Sequence, residues 1–304
     1  MDSRRYLNIL MLKITNRCNN RCIFCCDRKS HETIKDLNID AITKCLDEQK
    51  QNFEVVHVIG GEPTMHPNFK QLIVNINNAG YKEIVLETNA SLLNQPLINF
   101  LLNNKVKTFI VGSHTTSDQL YFNLTGNKNG LRNSFNGIKK TILSGGKVIV
   151  NIAVQKKNYK ELKEIVASLN AIGVNDFVIC SVIPPLFLDY SREEIFPVFS
   201  DIYPYILDTI TSYKQVNFTL QYFPYCVIKN LEIYRNDSSQ GAIHYIDING
   251  ILTPMKLDWT SHLTIKREEC IKCKYNNVCN GVFKEYIDFM GWDEFLPVIN
   301  EIKN

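Results

Sequence analysis

The 304-residue sequence predicts an α/β protein in which parallel strands alternate with helices to form a partial, TIM-like (β/α)6 barrel. Three observations support this fold class. β-Rich runs recur six times before residue 185, and each of the first five is followed by a segment with helical periodicity. Several of these segments end in glycine, which suits a helix C-terminus. Hydrophobic residues make up 45% and charged residues 21%, the balance of an ordinary globular domain.

The predicted elements follow in order along the chain. The six strands are 7–15, 54–61, 83–89, 106–114, 147–155 and 174–184. The helical segments between them are 39–51, 68–80, 96–105, 131–146 and 159–173. Six strand–helix units of this length suit a barrel, complete or partial, better than a small open sheet.

Beyond Pro184-Pro185 the pattern changes. A helix is predicted over about 192–212, and a second over 283–290. Between them Asn249-Gly250, flanked by alternating apolar residues, is a strong signal for a β-hairpin. The segment is too short and polar for an independent domain of ordinary size. We therefore predict a core over residues 1–190 and a metal-stapled extension over 191–304.

The net charge of +3 and pI of about 8.2 are too weak to indicate a nucleic-acid or anionic-membrane partner. No apolar run reaches the ~20 residues needed to span a bilayer. The start of the chain could be read as a signal peptide. Asn8 and Lys13 interrupt its apolar stretch, however, and no cleavage site follows, so a buried first strand is preferred. A cytoplasmic protein without disulfides is expected.

The stretch CNNRCIFCC places four of the ten cysteines within nine residues. Cys18, Cys22 and Cys25 have the spacing C-x3-C-x2-C, and thiolates favour iron–sulfur clusters and zinc. Three thiolates on one loop can hold three irons of a 4Fe–4S cluster and leave the fourth open. Cys26 is left out because its side chain cannot easily point the same way as that of Cys25. Zinc, with His31 as a fourth ligand, and redox-active thiols are the alternatives.

Polar motifs fall at the carboxyl ends of the predicted strands, where parallel α/β barrels carry their active sites. The cysteine loop follows the first strand. The motifs GGEP (60–63), TN (88–89) and SHTT (113–116) end the second, third and fourth strands. This placement comes from periodicity and is therefore independent of the motifs themselves.

The cysteine loop, with Phe24 just before its last cysteine, and the GGEP strand end together resemble the radical S-adenosylmethionine (SAM) enzymes. The resemblance covers roughly residues 7–185 and includes strand order. It implies that Cys18, Cys22 and Cys25 hold a 4Fe–4S cluster whose open iron chelates SAM. The resemblance further implies a set of SAM-contacting residues: Phe24, Gly60, Gly61, Glu62, Thr88, Ser113 and Asn151.

Within that set, the resemblance implies that the strand end at Gly60–Glu62 receives the SAM amino group. Glycine permits close approach, and Glu62 could accept a hydrogen bond from an ammonium. Thr88, Ser113 and Asn151 would contact the amino-acid or ribose portions, with capping or turn roles as the alternative. The family's chemistry is reductive cleavage of SAM to a 5′-deoxyadenosyl radical, which abstracts hydrogen from a C–H bond. Such enzymes need an electron donor such as flavodoxin or ferredoxin.

A second cysteine group lies near the C-terminus. Cys270, Cys273 and Cys279 have the spacing C-x2-C-x5-C, with Cys226 upstream, and four thiolates complete a 4Fe–4S cluster. The pattern resembles the SPASM and Twitch extensions of the same family. Met255 stands where such proteins often have a further cysteine, so one auxiliary cluster is expected. Structural zinc is the alternative, and the cluster could accept electrons or serve structure alone.

Two further residues are weaker catalytic candidates: Cys180, as a hydrogen donor, and His114, at the fourth strand end. Both can equally be structural, and Cys45 is read as a buried residue. Family members with such extensions modify ribosomally made peptides or oxidise small molecules; the resemblance implies modification of such a peptide here, with oxidation of a small molecule such as an aminocyclitol or sugar as the alternative. Only 17 residues precede Cys18, so a peptide-recognition domain is expected on a separate protein if the substrate is a peptide. A non-catalytic iron–sulfur or zinc protein is the alternative of another class, and GGEP argues against it.

Overall fold

The computed structural model describes residues 8–27, 33–183, 192–235, 243–255 and 261–299. Its main feature is a nine-stranded sheet with the order β7-β6-β5-β4-β3-β2-β1-β8-β9. The strands are β1 (Ile9–Lys13), β2 (Val55–Ile59), β3 (Glu83–Thr88), β4 (Val106–Gly112), β5 (Lys147–Val154), β6 (Asp176–Ser181), β7 (Asn217–Gln221), β8 (Ile243–Ile246) and β9 (Leu252–Met255).

All neighbouring pairs from β7 to β8 are parallel, and only β9 runs antiparallel, beside β8. The sheet is not closed into a barrel, because β7 and β9 are not paired with each other. The predicted partial barrel is confirmed, and the six predicted strands match β1 to β6 with slightly shorter bounds.

Nine α-helices are assigned among the described residues. They are α1 (Ile39–Gln49), α2 (Phe69–Ala79), α3 (Gln95–Asn103), α4 (Asp118–Thr125), α5 (Gly130–Leu143), α6 (Leu162–Asn170), α7 (Arg192–Ile195), α8 (Phe199–Ser212) and α9 (Lys284–Met290). The Ser117 side chain caps the start of α4 by accepting from the backbone of Leu120. Gly126 ends α4 with φ +70°, a left-handed conformation that glycine adopts without strain.

Alternating burial shows which face of the sheet is covered. In β1, Leu10 and Leu12 are fully buried, whereas the intervening residues are partly exposed. Val56 and Val58 repeat the pattern in β2. Burying one such side chain stabilises the fold by about 1.5–3 kcal/mol. The buried strand residues form one core cluster with residues of the helices, which therefore cover this face of the sheet.

The C-terminal region differs from its prediction in two respects. The helix expected over 192–212 is divided into α7 and α8, because Pro197 disfavours helical backbone at Phe196. In addition, the Asn249-Gly250 hairpin forms as predicted but joins the main sheet through β8, and β7 extends the other edge. The proposed boundary at 190 lies outside the described residues.

A short antiparallel pair, β10 (Thr264–Ile265) and β11 (Val282–Phe283), precedes the predicted C-terminal helix, which forms as α9. The Tyr286 hydroxyl in α9 donates to the Pro197 carbonyl at 3.0 Å, so α9 is attached to the backbone just before α8. Within the described part of the chain, every helix is too short or too polar to cross a lipid bilayer.

Candidate functional site

The cysteine loop directly follows β1 at the carboxyl end of the sheet. Cys18, Cys22 and Cys25 are each partly accessible, while Cys26 is exposed. Burial raises the pKa of the Cys18 thiol to about 11; the Asn20 N–H, which donates to Cys18 Sγ at 3.4 Å, opposes the rise, and nearby Cys25 adds to it. Cys18 and Cys25 are therefore close enough to interact electrostatically.

The residues between the cysteines attach the loop to α4. The backbone N–H groups of Arg21 and Ile23 donate to the last two carbonyls of that helix, at 2.6 and 2.9 Å. Asn20 is buried; its Nδ2 donates to the Tyr121 hydroxyl at 3.3 Å, and its Oδ1 accepts from Asn127 Nδ2 at 2.9 Å. Hydrogen bonds to α4 and to the residues after it thus fix the conformation of the cysteine loop.

The two glycines at the end of β2 lie against the backbone that leads into the cysteine loop. The Gly61 N–H donates to the Thr15 carbonyl at 2.8 Å, and the Glu62 N–H donates to the Arg17 carbonyl at 2.6 Å. A Cβ at Gly60 or Gly61 would approach the Thr15 or Arg17 carbonyl oxygen to 2.4 Å. The fold therefore requires glycine at both positions, independently of any close approach to a ligand.

The Glu62 carboxylate is fully buried, and both of its oxygens accept hydrogen bonds. Its Oε1 accepts from the hydroxyls of Thr64 and Thr88 at 2.6 and 2.7 Å and from the Thr64 N–H at 3.2 Å. Its Oε2 accepts from the Asn89 N–H at 2.8 Å. Burial raises its pKa, and these donors oppose the rise. Both oxygens are thus already bonded within the protein, and Glu62 ties the end of β2 to the end of β3.

Other predicted residues meet on adjacent strands. The Ser113 N–H donates to the Asn151 carbonyl at 3.1 Å, and the Cys180 thiol donates to Asn151 Oδ1 at 3.0 Å. The Phe24 ring contacts His114 edge-to-face, with ring centroids 4.7 Å apart. The structure therefore brings the cysteine loop and the ends of β4, β5 and β6 together. The predicted roles of these residues toward SAM stay predictions.

His114 carries a testable pH dependence. Burial lowers its pKa to about 4, and its Nδ1 accepts from the Ala153 N–H at 3.2 Å. Because the unfolded chain binds a proton at pH ~6.5, this histidine's contribution to stability is present above that pH and is lost as pH falls toward 4. The loss is expected to reach about 3 kcal/mol. Urea denaturation of wild type and His114→Asn, which keeps an acceptor, should show a shallower acid slope in the variant; identical slopes would contradict the assignment.

The C-terminal cysteines also come together. Cys226 lies in a one-turn 3-10 helix after β7, and burial raises its pKa to about 12, with further contributions from nearby Cys279, Cys273 and Cys270. Backbone N–H groups donate to two of these sulfurs, each at 3.4 Å: Gly281 to Cys279 and Val298 to Cys273. The four cysteines thus lie near one another where the segment after β7 meets the C-terminal segment.

The donor sets fit iron–sulfur clusters in their chemistry. Each contains only thiols, and at each site backbone N–H groups donate to sulfur. In the described part of the chain, no three His, Cys, Asp or Glu side chains are arranged to hold a metal ion. His31, the alternative zinc ligand, lies outside the described residues.

Two curated relatives share part of the chain. The tungsten-containing aldehyde ferredoxin oxidoreductase cofactor-modifying protein of Pyrococcus furiosus is 26% identical over 196 residues, covering 59% of this chain and 52% of the relative. A probable GTP 3′,8-cyclase of Methanocaldococcus jannaschii is 31% identical over 176 residues, covering 56% and 57%. The chain therefore spans little more than half of each relative.

Solved structures match nearly the whole chain at low identity, which bears on the fold alone. Streptococcus suis SuiB bound to S-adenosylmethionine has a TM-score of 0.66 at 17% identity, covering 98% of this chain and 77% of SuiB. Native anSMEcpe with bound AdoMet and the Cp18Cys peptide has a TM-score of 0.70 at 14% identity, covering 97% and 93%.

The family assignment rests on the core of the chain. The model of the Radical SAM superfamily matches residues 12–169, which is more than half of the sequence. The match includes the cysteine loop and the ends of β2, β3, β4 and β5, the elements that the structure brings together. Sequence motif, sheet topology and the family model agree, and the chain is a member of the radical SAM superfamily.

Proposed function

We propose that this protein is a radical SAM enzyme that modifies a peptide. Cys18, Cys22 and Cys25 would hold a 4Fe–4S cluster, and the strand end at Gly60–Glu62 would receive SAM. When bound, the cluster and SAM would supply one-electron chemistry that removes a hydrogen atom from the substrate. Thiol-rich sites of this kind also favour a reducing, cytoplasmic compartment.

One observation carries the proposal: the cysteine loop and the GGEP strand end share a backbone interface. The contacts of Gly60, Gly61 and Glu62 with the backbone of Thr15 and Arg17, which leads into the cysteine loop, support a shared site for the cluster and SAM. Holding the cluster and SAM side by side in a fixed orientation would contribute much of the rate enhancement that a catalytic site provides. A protein that only stored a cluster would have no need for this second strand end.

We further propose that residues 191–304 form a Twitch-like extension carrying one auxiliary 4Fe–4S cluster on Cys226, Cys270, Cys273 and Cys279. Two observations support the binding of one cluster by all four cysteines. Cys226 is influenced electrostatically by the other three thiols, and backbone N–H groups donate to two of the sulfurs. With four protein ligands, this cluster would have no open iron. It would suit electron acceptance from a substrate radical.

The peptide substrate is supported by the solved complexes. SuiB has been solved with its precursor peptide SuiA, and anSMEcpe with peptides, and both resemble this chain over nearly its full length. A flavodoxin or ferredoxin would supply the electron, and a separate recognition protein could deliver the peptide. The second candidate is radical chemistry on a small molecule, which the names of the cofactor-modifying and GTP 3′,8-cyclase relatives favour.

The test is anaerobic formation of 5′-deoxyadenosine. Protein reconstituted with iron and sulfide receives SAM and dithionite, with no addition, with a peptide fraction of the host, or with its small-molecule filtrate. Stimulation by the peptide fraction supports peptide modification, and stimulation by the filtrate alone supports the second candidate. If wild-type protein forms no more 5′-deoxyadenosine than a variant lacking the three cysteines in any of these conditions, both candidate functions are refuted.

A further inference from the structure

Three polar side chains form a closed ring of hydrogen bonds between the cysteine loop and the end of β3. Asn89 Nδ2 donates to Asn19 Oδ1 at 2.7 Å, Asn19 Nδ2 donates to Ser91 Oγ at 2.8 Å, and Ser91 Oγ donates to Asn89 Oδ1 at 2.6 Å. Each member both donates to one neighbour and accepts from the other. Asn19 directly follows Cys18, and the Asn89 side chain also hydrogen-bonds the Cys18 thiol, so the ring lies beside the first predicted cluster ligand.

The backbone within the ring is held in an unfavourable conformation. Ala90 lies between Asn89 and Ser91 with φ +59°, which a residue other than glycine rarely adopts. It is fully buried, and its N–H donates to the Thr88 hydroxyl at 3.0 Å. Its carbonyl lies so close to α5 that a Cβ at Gly137 would approach it to 2.3 Å. Strained backbone that its surroundings maintain in this way is concentrated at functional sites.

The ring also connects to the buried carboxylate of the GGEP motif. The Asn89 N–H donates to Glu62 Oε2, while the Asn89 side chain bonds Asn19. A continuous path of hydrogen bonds therefore runs from Glu62 through Asn89 to Asn19, beside Cys18. The side-chain contacts of Asn20, by contrast, reach α4 and the residues after it, on the other side of the loop.

We propose that Asn19, Asn89 and Ser91 are positioning residues that set the distance between the cluster-binding loop and the SAM-binding strand end. The proposal rests on the proposed function. The amino and carboxylate groups of SAM would have to reach the open iron of the cluster. A small displacement of the loop that holds the cluster would therefore weaken SAM binding. The three thiols and the loop's anchors on α4 are not part of the ring, so we expect the cluster to assemble without it.

The test compares Asn89→Ala and Ser91→Ala with wild type, with Ser91→Thr as the variant that keeps the hydroxyl. Asn99→Ala is the matched control, because Asn99 is an exposed asparagine of α3. Iron content, melting temperature and the SAM-dependent change in the EPR spectrum of the reduced cluster are measured for each. We expect wild-type iron content but about tenfold weaker SAM binding in Asn89→Ala and Ser91→Ala. Ser91→Thr and Asn99→Ala should bind SAM as wild type does.

Two outcomes would overturn the proposal. Unchanged SAM affinity in variants that retain the cluster would mean that the ring has only a structural role. Loss of iron in Asn89→Ala or Ser91→Ala, at an unchanged melting temperature, would mean that the ring assembles the cluster rather than aligning SAM. Failure of the proposed function is distinct, since wild-type protein would then show no SAM-dependent EPR change.

Discussion

Replacing Cys18, Cys22 and Cys25 together with alanine is expected to abolish the cluster of the core and reduce 5′-deoxyadenosine formation to background. Thiolates are the ligands that hold such a cluster, and no other group on the loop can replace three of them. The fold should persist, because the loop's anchors on α4 use backbone groups and Asn20 rather than cysteine. A cost of about 1 kcal/mol or less per site is expected. Iron analysis, absorbance spectra and product quantification measure the effect.

Cys26→Ala is the matched control for this experiment. Cys26 is adjacent to Cys25 but exposed, and the sequence already leaves it out of the ligand set. It should retain both iron and SAM cleavage. A triple variant that kept its full iron content, or a Cys26→Ala protein that lost its iron, would show that the ligand set is wrong.

Local sequence patterns identify the parallel core but not the edges of the sheet. β1 to β6 are recognisable because apolar residues dominate them and helical segments separate them. β7, with the sequence NFTLQ, is short and half polar, so its pairing with β6 depends on contacts that periodicity does not encode. The pairing of β8 with β1 joins residues more than 230 positions apart. No local signal predicts such a pairing.

In the candidate site, too, sequence patterns identify some residues and miss others. The cysteines and GGEP are identified by spacing and residue type. Asn19 and Asn20 are not, since their side-chain partners lie 70 to 107 residues away. Nor does the sequence indicate that both carboxylate oxygens of Glu62 accept hydrogen bonds from protein groups; its predicted role toward SAM stays a prediction. Hydrogen bonds of this kind follow from the folded arrangement of strand ends and leave no pattern in the sequence.

Cys226→Ala is expected to lower the iron content of fully reconstituted protein from about eight to about four per chain. The core cluster has separate ligands, so SAM cleavage should continue, while oxidation of a substrate that requires the auxiliary cluster as electron acceptor should fail. Cys45→Ala is the control, since Cys45 lies on α1 and is only partly buried. An unchanged iron content, or one zinc per chain in wild type, would contradict the auxiliary cluster.

The position of Cys226 predicts a second consequence of the same change. Cys226 follows β7, a strand of the main sheet, whereas the other three predicted ligands belong to the C-terminal segment 261–299. A metal bound by all four would link that segment to the sheet, and binding of this kind adds directly to folding stability. Limited proteolysis should therefore cut 261–299 faster in Cys226→Ala than in wild type, and chelation of wild-type iron should reproduce the effect. Equal cleavage rates would mean that contacts such as Tyr286 to the Pro197 carbonyl hold the segment without a cluster.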